Sequence, residues 1–184
     1  MKILKTIKNN KADIIVFVVL IILGVVSRMV PHLANFTAVG AISLFAGFYF
    51  KKQWKIVAPL AIMFISDSVL GFYDLKLMFT VYFCLFIYFI LGSYIKQNKV
   101  VFRAISFSLL GSTLFFVITN FAVWSLAGWY PHTGAGLLNC YIMALPFFFN
   151  SLLGDVFYTS VVFGAYAFVL NYSRLNNAIT VNSK

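Results

Sequence analysis

The chain has 184 residues, of which 62% are hydrophobic and only 10% are charged, and its formal net charge is +10. This composition excludes an ordinary water-soluble domain, because long apolar runs recur along nearly the whole length and leave no segment for a soluble catalytic core. The positive charge does not indicate a nucleic-acid partner, since Lys and Arg stand in short clusters between apolar runs. We therefore expect residues 1–184 to form one integral membrane domain.

Six apolar runs separated by charged residues predict six membrane-spanning helices. They lie near residues 13–30, 36–50, 56–73, 76–95, 101–126 and 147–170. The basic segment 1–12 resembles the start of a signal peptide, but no small-residue cleavage pattern follows the first run, so we interpret that run as a retained span. The fold class expected is an all-α, six-transmembrane-helix bundle with a short tail over residues 171–184.

The basic residues predict the orientation of this bundle. Twelve of the fourteen Lys and Arg residues fall on one side of the six spans: Lys2, Lys5, Lys8, Lys11, Lys51, Lys52, Lys55, Lys96, Lys99, Arg103, Arg174 and Lys184. Arg28 and Lys76 remain for the other side. Because positive charge collects on the cytoplasmic side, we expect the N and C termini both to lie in the cytoplasm. The protein is expected to be a multi-pass protein of the inner (plasma) membrane of the cell.

Asp67 and Asp155 are the residues that point most directly to function. A carboxylate near the centre of a membrane helix costs roughly 2.5–3.5 kcal/mol on insertion scales, so it usually faces a partner, a cavity or a pathway. Both acids fall in the outer parts of their spans, whereas the cytoplasmic halves are nearly pure Leu, Ile, Val and Phe. This asymmetry favours a pocket that opens outward over a continuous pore.

Eight polar or aromatic residues are predicted to line this pocket and to bind its substrate. They are Arg28, His32, Asn35, Asp67, Asn120, Trp124, Asn150 and Asp155. Structural roles remain open for several of them. Arg28 either contacts a ligand or pairs with Asp67 or Asp155, and the two Asn side chains in spans five and six either face the pocket or bridge neighbouring helices.

Two further segments have alternative interpretations. The apolar connection over residues 127–146 is expected to contain a short helix lying over the outer face, either capping the pocket or simply joining spans. Ser43 and Gly47 form a small-xxx-small pair that permits close helix contact, within the bundle or with a partner. Neither the two Cys nor the two His residues, His32 and His132, have a spacing typical of a metal or haem site, so no cofactor is expected.

Four segments resemble a family of small bacterial six-span membrane proteins regarded as transport proteins. They are residues 31–41 (PHLANFTAVGA), 66–71 (SDSVLG), 119–124 (TNFAVW) and 153–155 (LGD). In size, span number and outward pocket, the chain also resembles the S components of energy-coupling-factor transporters, which capture vitamins and related micronutrients. That resemblance implies a pocket gated by the loop over residues 31–35, and a separate transmembrane coupling subunit with paired ATPases.

The sequence therefore favours a substrate-capture subunit, not an enzyme, that imports a small vitamin-like, aromatic or amine-bearing solute from the outer side of the lipid bilayer. One alternative is an intramembrane enzyme in which the two carboxylates act as acid and base on a lipid-borne substrate. Another is a ligand-free structural protein, in which Asp67 and Asp155 would meet Arg28 or each other and leave no cavity.

Overall fold

The computed structural model describes residues 10–50 and 56–182, and this part of the chain is all-helical without a β-strand. Its elements are α1 (Asn10–Met29), α2 (Val39–Tyr49), α3 (Val57–Leu70), α4 (Leu75–Ser93), α5 (Val100–Leu126) and α6 (Gly134–Asn182). The prediction of an all-α fold is thus confirmed for these residues, which form six helices. Several basic residues used to predict the orientation lie outside the described residues: Lys2, Lys5, Lys8, Lys51, Lys52, Lys55 and Lys184.

Four of these helices are long and apolar enough to cross a membrane: α1, α4, α5 and α6. Helices α2 and α3 are apolar but shorter. At 1.5 Å per residue, the 11-residue α2 is only about 16 Å long, roughly half of a typical 30 Å hydrocarbon core. It therefore cannot cross that core by itself.

The last helix differs from the sequence prediction. Instead of a separate short helix over residues 127–146, α6 begins at Gly134 and continues through Pro146 to Asn182. Its N-terminal part packs on α5: Tyr141 Oη donates to the Val117 carbonyl at 2.7 Å, and the Phe116 and Phe148 rings stack at 4.5 Å. This packing explains why the apolar connection is helical.

Contacts between helices define the two ends of the bundle. Gly24 and Arg28 of α1 meet Ile62 and Ser66 of α3, so these two helices run in the same direction. Helices α5 and α6 run antiparallel and meet along their length. The loops over residues 30–38, 71–74 and 127–133 consequently share one end, here called the loop end. The turn over residues 94–99 and the C-terminal part of α6 lie at the opposite end, here called the basic end.

Helix α2 lies at the centre of the bundle, with every residue from Val39 to Gly47 buried. It packs closely on α4, since a Cβ at Gly47 would overlap the Phe89 carbonyl oxygen and a Cβ at Gly92 would overlap that of Leu44. The small-xxx-small pair formed by Ser43 and Gly47 is therefore buried inside the bundle. This close backbone contact fixes the position of α2 beside the cavity described next.

Candidate functional site

A cavity of about 360 Å³ lies between the α1–α2 loop and helices α1 to α6 at the loop end. Its lining combines charged and polar groups with apolar walls: Arg28, His32, Asn35, Thr37, Val39, Gly40, Met63, Leu70, Tyr73, Val81, Leu85, Tyr88, Phe115, Ser151 and Asp155. His32, Asn35 and Tyr73 are exposed, whereas Asp155 and Tyr88 are buried. The cavity therefore leads from an exposed rim to a buried floor.

Asp155 forms the floor of the cavity. Its Oδ2 accepts hydrogen bonds from Tyr88 Oη of α4 and, at 2.6 Å, from Ser112 Oγ of α5. Its Oδ1 lies against Gly40 of α2, where a Cβ would overlap it, so glycine leaves the space that this carboxylate occupies. Three helices thus hold Asp155, and both of its hydrogen-bond donors are neutral.

Arg28 and Asp67 form an ion pair between α1 and α3, with Arg28 Nη2 2.8 Å from Asp67 Oδ1. Arg28 Nη1 also donates to Ser66 Oγ at 2.7 Å, and Tyr82 Oη of α4 donates to Asp67 Oδ2 at 3.0 Å. Of this group only Arg28 lines the cavity, while the Asp67 side chain is 1% exposed and lies behind the arginine. Asp67 is therefore placed to neutralise and orient Arg28.

The two acidic centres lie at different depths. Tyr82 contacts Asp67 and Tyr88 contacts Asp155, and these tyrosines are six residues apart on α4, a rise of about 9 Å. Among the residues that the structure describes, the Arg28–Asp67 pair is the one ion pair, so Asp155 has no cationic partner there. The floor of the cavity consequently presents a carboxylate that forms no ion pair with any described side chain.

The α1–α2 loop forms one wall and descends from the rim toward the floor. Its polar residues His32 and Asn35 are exposed, and Asn35 has a left-handed backbone conformation with φ 66°. Its end is fixed at depth, where the Ala38 N–H donates to Ser27 Oγ at 3.1 Å. Gly154, next to Asp155, packs directly on Phe36 and leaves no room for a larger residue without displacement.

The structure brings Arg28, His32, Asn35 and Asp155 together at one cavity, with Asp67 behind Arg28. It does not bring the other three predicted residues to that cavity. Asn120 Nδ2 donates to the Phe116 carbonyl of its own helix, and Trp124 Nε1 donates to the Pro131 carbonyl in the α5–α6 loop. Asn150 lies outside the lining, although its neighbour Ser151 is part of it.

The sequence prediction missed Tyr88, Ser112 and Gly40. The two donors to Asp155 lie inside apolar runs, where tyrosine looks like aromatic filler and serine is tolerated in any membrane helix. One available signal was the pair Ser108 and Ser112, which share a helix face at i, i+4 spacing. Both side chains are fully buried.

The described residues of this site do not form a cluster of metal ligands. Among the described residues there is no group of three or more His, Cys, Asp or Glu side chains that could hold a metal ion. Cys84 and Cys140 are both buried and not joined in a disulfide. The groups that face the cavity suit ionic and hydrogen-bonded contacts with a small organic molecule.

These features define a class: an all-helical protein with membrane-length apolar helices and a polar cavity at one end. A comparison with protein families identifies the family to which the chain belongs. The model of a family of unknown function, DUF6580, matches residues 8–178, and the chain belongs to this family. No curated protein and no solved structure matches the chain.

Proposed function

We propose that this protein is the substrate-capture subunit of a membrane transporter, similar in role to an S component, and that its cavity binds a small amine-bearing solute. The observation that carries the proposal is Asp155, a 5%-exposed carboxylate that lines the cavity and has no cationic partner among the described residues. A buried charge is costly unless it is paired. A cationic solute supplies the missing pair.

The two acids differ in what they offer a solute. Asp67 is already paired with Arg28 and is screened from the cavity by it. The Oδ1 of Asp155 lies against Gly40, which also lines the cavity, while neutral donors hold Oδ2. We therefore assign the recognition of the solute's amine to Asp155, and assign to Arg28 an acceptor group of the solute nearer the rim.

The volume and the lining of the cavity indicate the size and the chemical character of the solute beyond its amine. A volume of about 360 Å³ is within the range of small-molecule pockets, which start near 300 Å³. The aromatic rings of Tyr73, Tyr88 and Phe115 contribute to its walls and offer surfaces on which a flat ring packs. An aromatic or vitamin-like amine fits this combination.

The proposed topology has six crossings, with the loop end outside the cell and both termini in the cytoplasm. The shortness of α2 is compatible with this topology, because the α1–α2 loop covers the remaining depth beside the cavity, where non-helical backbone in a membrane is tolerated. The described basic residues Lys96, Lys99, Arg103 and Arg174 all lie at the basic end, as the positive-inside rule requires. A coupling subunit and paired ATPases would then drive transport.

Cysteine labelling in intact cells tests this orientation. Ala34→Cys in the exposed α1–α2 loop should react with a membrane-impermeant maleimide, whereas Asn98→Cys in the α4–α5 turn should react only after permeabilisation. The native Cys84 and Cys140 are buried, so the background is expected to be low. The reverse labelling pattern would show that the loop end faces the cytoplasm and that the proposed import is wrong.

Capture itself is tested with a panel of solutes on the purified protein in lipid nanodiscs. We expect some aromatic or vitamin-like amines to raise the thermal unfolding midpoint, because a ligand that binds only the folded state stabilises it. The N-acetylated form of each amine, which has lost the positive charge, is the matched control and should have no effect. The bound solute should be recovered chemically unchanged, since an enzyme would convert it.

Equal stabilisation by the amines and their acetylated forms would remove Asp155 from the proposed role, and a panel without any stabilising amine would count against capture altogether. The alternative of a ligand-free structural protein required both acids to be paired and the bundle to be filled. Only Asp67 is paired with a cation among the described residues, and a cavity lies above Asp155. These two observations favour capture.

A further inference from the structure

A second cavity, separate from the proposed solute site, lies at the basic end of the bundle. This groove has a volume of about 290 Å³ and lies between the α4–α5 turn, the first turn of α5 and the C-terminal part of α6. Its lining is Gln97, Lys99, Val100, Val101, Phe102, Ala167, Leu170, Asn171 and Arg174. Basic, amide and apolar side chains therefore meet at one place.

Positive charge converges on this groove from two elements. Lys99 precedes the first turn of α5, and Arg174 comes from α6. The first backbone N–H groups of α5 add partial positive charge at the same point, because a helix N-terminus attracts anions. Arg103, whose Nε donates to the Asn98 carbonyl at 3.1 Å, brings a third cation beside the turn.

No carboxylate of the described residues forms an ion pair with the cations of this groove. The chain has four acidic residues, Asp13, Asp67, Asp74 and Asp155. Three of them belong to the loop-end half or to the floor of the first cavity. Asp13 lies at the basic end, in the first turn of α1, where it accepts a hydrogen bond from Tyr49 Oη at 3.2 Å rather than from a cation. Over residues 10–50 and 56–182, neither Lys99 nor Arg174 forms an ion pair. The cations of the groove are thus without an ion-pair partner within the described residues.

The groove also has an apolar side that continues onto the outer surface of the bundle. Phe102 of α5 is 71% exposed, and on α6 Phe168 and Val169 are exposed next to the lining residue Ala167. Such an apolar surface would not stabilise a bound water-soluble anion. A molecule with a charged head and a hydrocarbon tail matches both parts.

We propose that this groove binds an anionic phospholipid, with Lys99, Arg174 and the first N–H groups of α5 on its phosphate and an acyl chain along Phe102 and α6. Basic pockets between membrane helices are suited to such headgroups because each cation near the surface attracts anionic lipid. The proposal does not depend on the solute or on transport, since none of its residues lines the first cavity.

The test compares the full-length protein in nanodiscs of phosphatidylcholine alone and in nanodiscs of an equimolar mixture of phosphatidylcholine and phosphatidylglycerol. The wild type should have a higher thermal midpoint in the mixture. The double variant Lys99→Asn/Arg174→Gln should lose most of this rise while keeping the wild-type midpoint in phosphatidylcholine. Asn is chosen at position 99 because it tolerates the left-handed conformation there, φ 51°. Lys76→Asn, at the loop end, is the control and should keep the rise.

Three results would overturn the proposal: no rise for the wild type, an undiminished rise in the double variant, or the same rise in phosphatidylcholine on adding inorganic phosphate, which would identify a soluble anion as the ligand. Native mass spectrometry gives a second readout that does not depend on stability. The wild type should retain phosphatidylglycerol after detergent extraction, and Lys99→Asn alone should retain less. Equal retention would contradict the assignment of Lys99.

Discussion

Asp155→Asn is expected to weaken the binding of an amine-bearing solute strongly while leaving the fold intact. Loss of one partner from a buried charge pair costs roughly 2–5 kcal/mol, which corresponds to a fall in affinity of about 30-fold to several-thousand-fold. The fold should survive, because the Asn side-chain carbonyl still accepts from Tyr88 and Ser112. Isothermal titration or a ligand-dependent thermal shift measures the change.

Asp74→Asn is the matched control for this substitution. Asp74 is exposed and caps the first turn of α4, accepting from the N–H groups of Lys76 and Leu77 at 2.9 and 3.1 Å. Asn caps helices about as well as Asp, so this variant should bind the solute and unfold like the wild type. If Asp155→Asn retained wild-type affinity, the central residue of the proposed capture site would be misassigned.

The second large effect is expected from Asp67→Leu, which leaves Arg28 without its counterion. Breaking a buried ion pair by removing one partner costs about 3–5 kcal/mol. The loss here should lie at the lower end of that range, because the Arg28 side chain is 17% exposed and lines the cavity. Replacing both partners, as Arg28→Met/Asp67→Leu, should recover most of that loss, since no charge then remains. The measurement is the midpoint of thermal unfolding in the same lipid nanodiscs for all variants.

Arg103→Met provides the comparison for the loss of an arginine outside an ion pair. Its guanidinium contacts a backbone carbonyl at the basic end, and its replacement should change stability little. The double variant Arg28→Met/Asp67→Leu should also bind the solute more weakly than the wild type, because Arg28 lines the cavity. Equal losses of stability in Asp67→Leu and the double variant would contradict the expected cost of an unpaired Arg28.

Hydropathy was sufficient to predict most helices because apolar runs and charged turns coincide with their ends. The predicted span 76–95 corresponds to Leu75–Ser93, and the span 101–126 corresponds to Val100–Leu126. The start of α6 was missed by thirteen residues, at Gly134 instead of 147. Pro146 and the glycines before it, Gly134 and Gly136, have low helix propensity, but packing on α5 overrides that local preference.

The candidate site was predictable in its position along the chain but not in its partners. Two buried acids among apolar residues identify polar centres whatever the fold. The pairing of each cation with an acid depends on which helices pack against each other. The spacing of residues along the sequence does not reveal that packing. Trp124 was placed in the pocket because it lies one turn from Asn120, yet its ring contacts His132 in the α5–α6 loop, at 5.5 Å between centroids.

The short central helix has a consequence for the electrical behaviour of the protein. In the proposed topology, and with water filling the cavity down to Asp155, most of the transmembrane voltage would fall across the remaining thickness of the bundle rather than across the whole bilayer. A cationic solute would then reach Asp155 from outside at little electrical cost. Its onward release toward a negative interior would be favoured by about 2.3 kcal/mol per elementary charge for each 100 mV.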